Sequence, residues 1–162
     1  MYATAGWRRS PGVLSFTRRQ DTTNHVSAPA EAGSAECVTV PVTTFDALAA
    51  GACPLLAKID VEGYETPVLA GAGASLANPA LRGLILELNG SGARYGHSDA
   101  VLFASIVEAG FAPFRYEPFS RGLEALQGPN RSGGNTLFLR DLGFVEGRVR
   151  SAAAVDVRGV AV

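Results

Sequence analysis

The sequence predicts an α/β fold, a mostly parallel sheet covered by helices, with an antiparallel strand near the C-terminus. The first observation is order: "LLAKID" (55–60) and "LILELN" (84–89) read as apolar strands, and helix-patterned segments follow each of them. Strand–helix–strand–helix–strand is the signature of a parallel sheet with helical cover. The second is size and composition: 162 residues, 47% apolar and 18% charged, describe one globular domain of ordinary size. The third is that "FAPFRYE" (111–117) and "NTLFLRD" (135–141) are joined without a clear helical pattern, so this last pair is expected to run antiparallel.

Each element has a local reason. "GVLSFT" (12–17) alternates enough to be a strand, with Val13 and Phe16 packing inward. The polar stretch 18–36 reads as an excursion to "CVTVPV" (37–42), giving a hairpin over about 12–40. Pro41 cannot donate to a ladder, which suits an edge or a strand end. "TTFDALAAG" (43–51) is a short helix, with Thr43 or Thr44 as N-cap, Asp46 in the first turn and Gly51 as the stop. "GYETPVLAGAGASL" (63–76) is helical, with Tyr64, Val68, Leu69 and Ala72 at helix spacing and Pro67 in the first turn. "HSDAVLFASIVEAG" (97–110) is amphipathic, with Val101, Leu102, Ser105, Ile106 and Ala109 on one face. "LGFVEGRVR" (142–150) is a short final helix, and 151–162 reads as a disordered tail after a domain ending near residue 150.

Composition narrows the partners. Fourteen basic and fifteen acidic residues nearly cancel, which argues against nucleic acid as the main partner. No segment reaches the roughly 18 apolar residues of a membrane span. The N-terminal "MYATAGWRRSPG" has no apolar signal core, and Cys37 and Cys53 lack a metal-type spacing. Both points lead to the expectation of free thiols in a cytoplasmic protein.

The stretch "LLAKIDVEGYE" (55–65) is unusual, because a core strand avoids unpaired charge. In open α/β sheets, ligands bind beyond the carboxyl ends of the strands. Asp60 ends one strand, and Glu87 and Asn89 lie near the end of the next. Side-chain alternation puts Lys58 and Asp60 on one face, and likewise Glu87 with Asn89. Two readings stand. In one, Asp60 binds a ligand or takes a proton; in the other, Asp60 caps the following helix and Lys58 neutralises Glu87. Glu65 at the helix start is covered by the macrodipole, whereas Glu62 precedes the helix and Gly63 fits a tight turn. "GAGASL" (71–76) and "GSGARYG" (90–96) lack the context or spacing of phosphate-binding loops. His97 fits a helix entrance, and Asn24 and His25 lie in a loop from which His25 could act as a base.

"KIDVEGYETPVLAGA", followed by "LILELN", resembles the FkbM-type methyltransferase family. "VTVPVTTFDAL" resembles that family's segment before the lysine, with Phe45 in place of the usual leucine. "GVLSFTRRQDTTNHV" and "GNTLFLRD" resemble its preceding hairpin and last strand. The resemblance implies a class I methyltransferase (Rossmann-like) fold, S-adenosylmethionine as cofactor, and methyl transfer to an oxygen of a small molecule, sugar or lipid. Carried over by position, Lys58, Asp60 and Glu62 form the catalytic set. Asp60 and Gly63 lie on the cofactor side, and Glu87 falls on the family's next-strand acid. The residues themselves, apart from the resemblance, add Asn89, Asn24 and His25 to Glu87 on the acceptor side. Asp60, Glu62 and Glu87 could also ligate a metal, but without histidines the set points to no particular one, and none is assigned.

The family's glycine-rich cofactor loop and ribose-binding acid do not precede this hairpin, and "YATAG" (2–6) matches only the tail of an earlier strand. The chain therefore reads as the C-terminal portion of a methyltransferase, truncated before its cofactor half. It is expected to expose a sheet edge open to self-association. The alternative is a non-catalytic remnant or partner-binding α/β module. Acceptor choice is expected to rest on the loops 17–36 and 118–134. Calorimetry on this chain should find S-adenosylmethionine binding weak or absent, and a micromolar Kd would contradict that expectation.

Overall fold

The computed structural model describes residues 6–7, 11–19, 24–28, 36–132 and 134–161. Residues 2–5, the rest of the stretch matched to an earlier strand, and most of the 18–36 excursion lie outside the described residues. The N-terminal hairpin is a small sheet of its own. Strand β2 (Gly12–Thr17) pairs antiparallel with β3 (Cys37–Thr43), and β1 (Gly6–Trp7) runs parallel on the other side of β3. Pro41 is thus in a central strand rather than an edge. Among the described residues β1 pairs with Val42 and Thr43 and not with Pro41, so no ladder donor is needed from Pro41 on that side. Val13, expected inside, is 62% exposed, whereas Thr17, further along the same face of β2, is buried.

The main sheet has the order β4–β5–β8–β6–β7, built from β4 (Leu56–Ile59), β5 (Gly83–Glu87), β6 (Ala112–Glu117), β7 (Gly122–Ala125) and β8 (Asn135–Leu139). Only β4 and β5 pair in parallel. The expectation of a mostly parallel sheet is therefore corrected. The sheet is mostly antiparallel because β8 returns between β5 and β6, and β7 folds back on β6 as a hairpin. The antiparallel pairing of the 111–117 and 135–141 segments matches the reading from their helix-free connection.

One face of this sheet carries Ala57, Ile59, Leu84, Leu86 and Phe138, all buried. Against it pack Val68 and Leu69 of α2 (Glu65–Ala70), with Leu102 and Ile106 of α4 (Asp99–Glu108) and Phe111. Val101 is 68% exposed, so the apolar stripe of α4 is narrower than its spacing suggested. The single helix expected over 63–76 breaks at Gly71–Ala72 into α2 and α3 (Gly73–Ala77), where closely spaced glycines make continuation costly. Arg140 ties β8 to this layer: its guanidinium stacks 3.8 Å from the Phe111 ring centre and donates to the Leu76 carbonyl at 2.6 Å.

The opposite face is thinly covered. α5 (Leu142–Ser151) lies over Ile85 and Leu139 but buries none of its own residues. Among the described residues β4 is an edge of the sheet, not an inner strand, and Leu56 on it is 52% exposed. Residues 151–162, expected as a disordered tail, carry a small exposed hairpin, β9 (Asp156–Val157) and β10 (Val160–Ala161). No helix among the described residues is long and apolar enough to cross a membrane.

Thr44 caps α1 (Phe45–Leu48), its hydroxyl accepting from the Ala47 N–H at 3.0 Å. Asp46 does something the sequence did not suggest. Its carboxylate accepts from the N–H groups of Ala74 and Ser75, at 2.9 and 2.8 Å, and so caps α3 from another helix. Burial alone would raise the Asp46 pKa. Hydrogen bonds from the Ser75 side chain and these two N–H groups outweigh burial and hold it below its usual value. Asp46→Ala should lower stability by about 1–2 kcal/mol. A depressed carboxylate contributes fully above its unfolded pKa and loses that contribution as pH falls through the folded one. The difference between wild type and Asp46→Ala in denaturation should therefore shrink below about pH 4. A difference independent of pH would mean that the carboxylate is not the cap.

Candidate active site

The carboxyl ends of β4 and β5 point the same way, because these strands are parallel. β5 ends at Glu87, and the chain then turns at Gly90 (φ 87°) into a 3-10 helix, Ser91–Tyr95. Two side-chain oxygens hold this turn. Asn89 Oδ1 accepts from the Ser91 N–H at 3.0 Å, and Asp99 Oδ2 accepts from the Gly90 N–H at 2.8 Å. The turn, the start of α4 and the β7–β8 loop enclose an open cleft of about 1110 Å³. Glu87, Asn89, His97, Asp99, Asn130 and Arg131 give it polar walls. Asn130 is fixed in its loop, its N–H donating to the Thr136 hydroxyl at 2.9 Å and its side-chain amide to the Asn135 carbonyl at 3.1 Å.

The register Lys58↔Ile85 and Ile59↔Leu86, continued one step past β4, sets Asp60 beside Glu87. Asp60 is already partnered: Lys58 Nζ lies 2.7 Å from its Oδ2, with the two side chains 52% and 48% exposed. A pair this exposed contributes at most about 1 kcal/mol. The chain next forms a tight turn. Glu62 has φ 52°, rare for a residue with a side chain, and Gly63 has φ 99°. Gly63 is pressed against the β5–α4 turn: a Cβ there would sit 2.5 Å from the Ser91 carbonyl group and 2.9 Å from the Gly92 nitrogen.

Further contacts lock the two turns together. Arg94 Nη1 donates to the Glu62 carbonyl at 3.4 Å. Tyr64 meets Tyr95 edge to face, with ring centres 5.1 Å apart. The Tyr95 hydroxyl donates to the Val26 carbonyl at 2.5 Å, which brings the N-terminal hairpin onto the same assembly. Glu65, only 5% exposed, lies behind the β4–α2 turn. Burial raises its pKa, its own N–H and those of Gly63 and Val61 oppose that rise, and the nearby Asp99 charge adds to it.

The sequence-derived candidates separate into three groups. Glu87 and Asn89 line the cleft. Lys58, Asp60, Glu62 and Gly63 form the adjoining turn and its approach but are not cleft walls, and Lys58 pairs with Asp60 rather than Glu87. Asn24 and His25 are not brought to the cleft. His25 is 3% exposed, its N–H donates to the Thr17 hydroxyl at 2.9 Å, and its carbonyl accepts from the Thr17 N–H at 3.0 Å. Its segment lies along β2 and packs as structure. Of the two loops expected to shape the acceptor site, 127–131 borders the cleft, whereas the described residues of 17–36 do not. Asp99, Tyr95 and Arg94 were not anticipated. The local sign of Asp99 is its place as an acid in the first turn of α4.

Among curated proteins and solved structures, none matches this chain. A family model described as the methyltransferase FkbM domain matches residues 4–114, which takes in β4, β5 and both strand-end turns. That match covers more than half of the sequence and includes the "KIDVEGYE" box; the chain belongs to the FkbM-domain methyltransferase family.

Proposed function

We propose that the chain forms the acceptor side of an S-adenosylmethionine-dependent O-methyltransferase. The acceptor is a hydroxylated small molecule, sugar or lipid, held in the cleft at the end of β5. The observation that supports this most is the placement of Glu87 and Asn89, side by side on the cleft wall next to the family's acidic box. The donor set also suits a cationic cofactor. Glu62 and Glu87 pair with no cation among the described residues, and Asp60 has only Lys58.

S-adenosylmethionine, when bound, supplies a methyl carbon on a sulfonium, which is electrophilic toward oxygen, and Asp60 and Glu62 would hold its cationic side. The residues of this chain do the rest. An acceptor hydroxyl becomes nucleophilic as it gives up its proton. Two carboxylates, Glu87 and Asp99, line the cleft. Asp99 accepts from the Gly90 N–H and Asp60 pairs with Lys58, so the proton passes to Glu87. Asn89, whose Oδ1 accepts from the Ser91 N–H, has its NH2 group left to orient a neighbouring hydroxyl, and Asn130, held by its own loop, shapes the wall. Orientation of this kind contributes as much to such a displacement as the base does.

The test is label transfer. With millimolar methyl-labelled S-adenosylmethionine and a panel of sugars, hydroxylated lipids and simple alcohols, label should appear in a methyl ether of one class. No transfer to any class, with the protein folded and S-adenosylmethionine binding seen by calorimetry at the same concentration, would contradict the proposal and favour a non-catalytic, partner-binding role.

A further inference from the structure

The turn Asp60–Gly63 carries backbone strain in a place where strain needs a cause. Glu62 sits at φ 52° although it has a side chain, which costs roughly 1–2 kcal/mol. Such a conformation persists only where surrounding contacts over-determine it. From the 3-10 helix side, the Arg94 guanidinium reaches the Glu62 carbonyl at 3.4 Å. From the helix side, a single oxygen spans the turn. Glu65 Oε1 accepts from the N–H of Val61 at 3.4 Å and from the N–H of Gly63 at 3.3 Å. These are the residues on either side of Glu62.

We propose that Glu65 is a positioning residue, whose Oε1 clamps the backbone on both sides of Glu62 and so fixes where the Asp60 and Glu62 carboxylates stand. This rests on the methyltransferase reading for its catalytic consequence but not for its geometry. The side chain is buried beneath the turn, so water does not readily replace it as the acceptor. Burial, the largest influence, and the Asp99 carboxylate disfavour the ionised form, and the N–H groups of Glu65, Gly63 and Val61 favour it without offsetting the burial. An uncharged side-chain oxygen in the same place can still accept from both Val61 and Gly63.

That distinction sets the experiment. Glu65→Gln keeps an acceptor oxygen at the same position and removes the charge; Glu65→Leu keeps the bulk and removes the oxygen. Amide hydrogen exchange on the full chain should show Val61 and Gly63 protected in wild type and in Glu65→Gln. In Glu65→Leu, exchange at these two amides should quicken about tenfold or more, while Leu84 and Leu86 in the core stay protected. In the label-transfer assay, Glu65→Gln should retain most of the wild-type kcat, and Glu65→Leu should lose about tenfold or more. Unchanged protection of Val61 and Gly63 in Glu65→Leu would overturn the clamp, whatever the assay reads. Loss of protection in both variants would overturn the claim that the oxygen alone suffices. If exchange follows the pattern but no variant, wild type included, transfers label, the clamp stands and the methyltransferase reading fails.

Discussion

Replacing Gly63 by alanine should cost more than about 3 kcal/mol, and it should do so by separating the two strand-end turns. Two effects add. The backbone at φ 99° is one that residues with a Cβ seldom adopt. The added carbon would also meet the Ser91 carbonyl at 2.5 Å, and that neighbour is main chain, not a side chain that can swing away. Gly51 and Gly96 are the controls. They have φ 87° and 75°, but a Cβ at either would meet nothing within 4 Å, so Gly51→Ala and Gly96→Ala should cost only about 1 kcal/mol each. Urea denaturation separates the cases. Equal destabilisation of all three variants would mean that the close approach of the turns adds nothing.

The second large effect is on chemistry. Glu87→Gln keeps size and polarity but removes the proton acceptor, so kcat in the label-transfer assay should fall about 100-fold or more, with KM changed little. Stability should barely move, because Glu87 is half-buried and pairs with no cation among the described residues. Asp60→Asn should cost less. It breaks an exposed ion pair with Lys58 and weakens the negative field around the turn, without touching the cleft wall. The reverse order, with Asp60→Asn the more damaging, would return the base to Asp60.

Much of this site was legible because its elements are local. The strand "GVLSFT" reappears as β2 with the same ends, and Thr44 caps α1 as its spacing suggested. Alternation along "LLAKID" and "LILELN" placed the acids at adjacent parallel strand ends, and β4 and β5 pair in that register. What was missed depends on distant parts of the chain. No pattern within 111–141 tells that β8 enters between β5 and β6, yet that insertion makes the sheet mostly antiparallel. The same fold-back carries Asn130 and Arg131 to the cleft. Glu65 was visible as a first-turn acid, for which the helix dipole is sufficient reason. Its reach back to Val61 and Gly63 follows only from the shape of the turn. His25 shows the reverse: a polar residue in a polar stretch suggested chemistry, and the fold buries it along β2, away from the cleft.

The central claim is that the cleft at the end of β5 holds the methyl acceptor. Amide chemical-shift mapping with the acceptor that takes up label tests it most directly. Shifts should concentrate in Glu87–Gly90, Ser98–Ala100 and Gln127–Arg131, and saturate together. Shifts confined to the groove beneath α5, or to residues 24–28 of the hairpin, would contradict the claim.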